Sequence, residues 1–67
     1  MIKFKVNEDL IGPEDVIYKD IVYTISDENK PEIEVVWSDP ETGLKENINY
    51  SNSDMKKYFN NGDWIRL

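Results

Sequence analysis

Ile33-Glu34-Val35-Val36-Trp37-Ser38-Asp39-Pro40-Glu41-Thr42-Gly43 combines a strand pattern with a strong turn signal, and the rest of the chain is arranged around that hairpin. Ile33, Val35 and Trp37 alternate with Glu32 and Glu34, a period of two that puts the apolar set on one face of a strand. Asp39 to Gly43 is then a turn. Pro40 presets φ for a type I turn, and Gly43 can take the left-handed conformation that returns the chain to the sheet. The return strand is expected over Leu44 to Tyr50, with Leu44, Ile48 and Tyr50 facing inward and Glu46 on the same side near the open end.

Beyond this hairpin, Ser51 or Ser53 can cap a helix, and Ser51 with Asp54 three residues on resembles a capping box. Met55, Tyr58 and Phe59 then recur at helical spacing as one apolar stripe, with Lys56 and Lys57 facing water. Gly62 fits the position just past the helix end, and Trp64 to Leu67 reads as a closing strand. Alternation there groups Trp64 with Arg66 against Ile65 and Leu67, leaving open which pair faces solvent.

Before the hairpin, Ser26 to Pro31 is a polar loop. Val16 to Ser26 is rich in β-branched and aromatic residues, with Lys19-Asp20 as a tight turn or kink that divides Val16-Ile17-Tyr18 from Ile21-Val22-Tyr23-Thr24-Ile25, and Ile21, Tyr23 and Ile25 share an inward face. Asn7 to Asp15, which contains Gly12-Pro13, reads as a turn-rich connection whose Leu10 and Ile11 fold back on the core. Ile2, Phe4 and Val6 alternate with Lys3 and Lys5 as a half-buried first strand.

The predicted fold class is therefore mainly β: a small five-stranded antiparallel SH3-like barrel, residues 1–67 as a single domain, with one short helix before the last strand. Curling five strands into a partly closed barrel shortens the exposed edges. An open sheet with the helix across one face is the alternative. Val22-Tyr23-Thr24-Ile25, then Ile33 to Trp37, the Pro/Gly turn and the closing Gly62-Asp63-Trp64 together resemble small SH3-like barrel proteins found among phage and mobile-element genes. That resemblance implies an adaptor or inhibitor that binds proteins, or in some cases a binder of small ligands.

Composition limits the chemistry. With 67 residues the chain buries roughly 60% of its unfolded surface, so its stability is marginal. It has no Cys and no His, which removes disulfides, Cys/His zinc sites and the usual Ser-His or Cys-His nucleophile pairs. Gly12, Gly43 and Gly62 are isolated and form no phosphate loop. The acidic pairs Glu8-Asp9, Glu14-Asp15 and Asp27-Glu28 point apart in extended chain, and Asp27-Glu28-Asn29 departs from the spacing of a calcium loop. No enzyme activity, metal or cofactor is expected.

Fourteen acids against eight bases give a net charge of −6, which opposes binding to phosphate backbones and anionic lipid. Residues 7–34 hold nine of the acids and only two lysines. The opening apolar run ends at Asn7-Glu8-Asp9, too early for a secretory core, so a cytoplasmic location is expected. The expected partner is a protein with a basic surface, met through Glu14, Asp15, Tyr18, Glu32, Glu34 and Trp64. Direct nucleic-acid contact and membrane association are disfavoured, and homo-oligomerisation stays open. A rival reading is an oligomer that binds nucleotides through Lys3, Lys5, Lys56, Lys57 and Arg66. A third is a structural subunit of a larger assembly.

Overall fold

A computed structural model describes residues 1–8, 10–11, 16–18 and 20–67, without the side chains of residues 10, 11, 16 and 17. Among the described residues, seven strands and a helix follow in order: β1 (Ile2–Val6), β2 (Leu10–Ile11), β3 (Val16–Ile17), β4 (Tyr23–Ile25), β5 (Glu32–Ser38), β6 (Lys45–Ser51), α1 (Asn52–Asn61) and β7 (Trp64–Arg66). Five of them form one antiparallel sheet in the order β6-β5-β4-β1-β7, while β2 and β3 pair separately. The five-stranded antiparallel sheet with a helix before the last strand is thus as expected. Leu10 and Ile11 differ from the reading. They form a strand of their own against β3, and two residues are too few to display a period.

The sheet is curled. Strands β6 and β7 lie at its opposite ends, which in a flat sheet would be roughly 19 Å apart at about 4.8 Å per strand. Yet the rings of Tyr50 on β6 and Trp64 on β7 lie 5.2 Å apart, and α1 packs against both strands. The helix therefore spans the gap between the two sheet edges, giving the closure of a small barrel.

Register explains which side chains fill it. Phe4 lies opposite Tyr23 on one side and Arg66 on the other, while Trp37 lies opposite Glu46. The rings of Phe4 and Tyr23 are 5.5 Å apart, and those of Tyr23 and Trp37 are 5.1 Å apart. An aromatic row thus crosses the inner face and ends in a charge on each edge strand. Inward charges at edges discourage pairing with another chain. Arg66 keeps its guanidinium at the rim, 5.0 Å over the ring of Phe59.

Ile2, Phe4, Val6, Tyr23, Ile25, Ile33, Val35, Met55 and Trp64 form the buried core. Leu44, expected to face inward, is 64% exposed. Its parity is right, but it precedes β6 and sits at the mouth of the turn, where its carbonyl accepts from the Asp39 N–H at 2.8 Å.

Strand β6 runs into α1 without a loop. Ser51 is both the last residue of the strand and the helix N-cap, at φ −70° and ψ 150°, and its hydroxyl accepts from the Asp54 N–H at 3.1 Å. Gly62 ends the helix at φ 80° and donates its N–H to the Phe59 carbonyl. Ser51→Ala is expected to cost about 1 kcal/mol. In a domain of this size that lowers Tm by about 4–8 °C, measurable by circular dichroism.

Candidate protein-binding surface

Glu32 and Glu34 stand exposed on the outward face of β5, opposite the core residues Ile33 and Val35. A terminal oxygen of Glu34 accepts from the Asn47 side-chain amide at 3.1 Å, which orients that carboxylate. The loop leading into β5 is held against the helix start. Asn52 donates its backbone N–H to the Pro31 carbonyl, and its side-chain amide to the carbonyls of Glu28 and Lys30 at 2.7 and 2.9 Å. Asp27 accepts from the Asn29 N–H at 3.0 Å and fixes the bend. These contacts hold the loop that carries Asp27 and Glu28 against the start of α1, just ahead of Glu32 and Glu34 on β5. Sequence reading did not single out Asn52, whose role depends on a loop more than twenty residues earlier.

At the other end of β5, about 10 Å from Glu34 at 3.3 Å per residue, Trp37 is half-buried and floors a groove of about 490 Å³ with Tyr18, Ile21 and Pro40. The volume is in the range of ligand sites. Asp20, Asp39 and Glu41 supply the carboxylates along it. A second groove, of about 470 Å³, shares Ile21 and Trp37, continues over Thr24 and Val36, and includes Lys45.

Both sides of the first groove are fixed by hydrogen bonds. Buried Tyr23 donates its hydroxyl to the Tyr18 carbonyl at 3.1 Å and accepts the Tyr18 N–H at 2.8 Å, so a core side chain holds the backbone of the groove wall. Across from it, Asp39 Oδ1 accepts from the N–H groups of Glu41 and Thr42 at 2.7 and 3.2 Å, and Gly43 at φ 73° closes the turn. Tyr23→Phe strips both Tyr18 groups of that partner at a cost of about 1–3 kcal/mol. The expected result is faster hydrogen exchange at the Tyr18 amide and a lower Tm.

The candidate residues are therefore not gathered in one place. Glu32 and Glu34 occupy one end of β5 and Tyr18 lies at the other, 50% exposed. Glu14 and Asp15 lie outside the described residues. Trp64 is a correction: it is 1% exposed, so it cannot anchor a partner in the folded chain. Pairing of Val6 with Trp64 turns the Trp64/Arg66 side inward, and the arginine is tolerated there because it reaches the rim. Trp37, read from its alternation as core, is the indole with a partly open face. Lys3 and Lys5 are exposed on β1, Lys56 and Lys57 on α1, and Arg66 lies over Phe59 of that helix.

Among the described residues, no group of three or more acidic side chains is placed to hold a metal ion, and no helix is long and apolar enough to cross a membrane. The chain matches no protein-family model, no curated protein and no solved structure.

Proposed function

We propose that the chain is a non-enzymatic protein-interaction module whose acidic surface docks on a basic surface of a larger protein. In its finer form the reading is an inhibitor that occupies the nucleic-acid cleft of a host enzyme or defence protein in the cytoplasm. One observation carries it. Asp27, Glu32, Glu34, Asp39 and Glu41 are exposed or half-exposed, and the one ion pair among the described residues joins Glu28 to the Met1 amine at 3.6 Å. Among the described residues these five carboxylates pair with no cation, and a cationic partner gains from each of them.

Geometry adds support. Glu32 and Glu34 lie two residues apart on one face of β5, a spacing of about 6.6 Å along the strand. Successive carboxylates in that arrangement present negative charge at intervals like those of phosphates on a nucleic-acid strand. The rigid strand and the anchored loop hold them in place before contact, which reduces the ordering cost of binding.

The test is a pulldown with the tagged chain from bacterial lysate at low and high salt, with bound proteins identified by mass spectrometry and bound small molecules released by heat. The expected result is a basic, nucleic-acid-binding protein retained at low salt and lost at high salt. Recovery of a nucleotide with no protein at either salt would overturn the reading in favour of a small-ligand binder.

A further inference from the structure

The groove on Trp37 has a chemistry of its own. Its lining is aromatic and apolar at Tyr18, Ile21, Trp37 and Pro40, and its acidic residues come from two separate segments: Asp20 before β4, Asp39 and Glu41 from the β5–β6 turn. Among its described lining residues there is no base. Lys45 lies in the adjoining groove beyond Trp37, so the two sides of the indole differ in charge. Asp39 uses Oδ1 to hold the turn, and no described group bonds its Oδ2.

We propose that this groove receives an arginine side chain from the basic partner, with the guanidinium on the Trp37 and Tyr18 rings and its N–H groups directed to Asp20, Asp39 and Glu41. This rests on the interaction-module reading and names the side chain that the surface selects. A guanidinium fits better than an ammonium for two reasons. It is planar and weakly hydrated, so it stacks on an indole, and its fork of donors can meet carboxylates from both segments. An apolar side chain would suit the apolar lining but leave the carboxylates unanswered. An anion would meet three like charges.

The experiment uses the folded chain, isotope-labelled, titrated with a blocked Gly-Arg-Gly peptide and with Gly-Lys-Gly and Gly-Gln-Gly controls, followed by nuclear magnetic resonance. The arginine peptide is expected to shift the Trp37 indole N–H together with the Asp20 and Glu41 amides, saturably. The lysine peptide should bind several-fold more weakly, and the glutamine peptide should have no effect. The double variant Asp20→Asn/Glu41→Gln, at exposed positions that leave the Asp39 turn intact, should weaken arginine binding about tenfold, the loss expected for two charge-assisted contacts.

Equal binding of the lysine or glutamine peptide, or an unchanged affinity in the double variant, would overturn the proposal. If the arginine peptide leaves Trp37 unmoved while the lysate partner is still captured at low salt, the groove assignment fails and the acidic-surface reading stands. Failure of both removes the reading itself.

Discussion

Replacing Trp64 by Ala is expected to leave much of the protein unfolded at room temperature. The indole stacks on Phe4 at 4.3 Å and on Tyr58 at 4.9 Å, and Tyr50 and Phe59 meet it edge-on at 5.2 and 5.5 Å. It is thus the point where β1, β6, α1 and β7 meet, and its removal opens the seam that closes the barrel. Large aromatic-to-alanine changes in cores cost about 3–5 kcal/mol. A domain of this length has only roughly 3–10 kcal/mol in total, at about 0.05–0.15 kcal/mol per residue. The expected fall in Tm is on the order of 15–35 °C.

Trp64→Phe separates the seam from mere bulk. Among the described residues the buried Trp64 indole N–H has no hydrogen-bond partner, a desolvation cost of about 1–3 kcal/mol that phenylalanine does not carry. The phenylalanine variant should therefore fold cooperatively, with a loss well below that of alanine. Thermal unfolding followed by circular dichroism reads both variants. An alanine variant within about 1 kcal/mol of the parent would mean that the ring cluster does not hold the barrel closed.

Reversing two charges, Glu32→Lys with Glu34→Lys, is expected to slow association with the captured partner at least tenfold at low salt. The change is four charge units on one exposed face, and steering into a cleft of opposite sign alters on-rates by about 10–10³-fold. Dissociation should change less, because rim charges act mainly on the approach. Folding should hardly change. Both side chains are exposed, and the hydrogen bond from Asn47 to Glu34 that the variant gives up is itself exposed. Association and dissociation rates measured for parent and variant on immobilised partner give the answer. Equal on-rates would place the interface elsewhere on the molecule.

Much of the frame was legible because it rests on local chemistry. Pro40 and Gly43 define a turn wherever the chain goes, Ser51 and Gly62 punctuate a helix by their own bonding and φ, and Ile33-Val35-Trp37 carry a period that only a strand satisfies. The misreadings have one cause. Alternation sorts Trp64 and Arg66 from Ile65 and Leu67, but only the pairing of Val6 with Trp64 decides which set is inside. An arginine on the inner face looks forbidden in sequence, and is allowed because the strand ends at an open rim beside Phe59. Leu44 has the parity of a core residue and lies one position before the ladder begins.

The candidate surface was less legible still. Glu32 and Glu34 announce an exposed face by alternation alone. The groove does not, since it is made when the backbone of Tyr18, pinned by Tyr23, meets a turn about twenty residues further on. Asp20, Asp39 and Glu41 each have an ordinary turn role in sequence, and that all three line one groove with Trp37 is a product of the folded sheet.

Binding of the acidic surface to a basic one is measured by the affinity of the chain for its captured partner across ionic strength. Screening shortens from about 10 Å at 0.1 M salt to about 3 Å at 1 M. Affinity is expected to fall steeply over that range for the parent and much less for Glu32→Lys/Glu34→Lys. An affinity independent of salt for both would contradict it and point to an apolar contact instead.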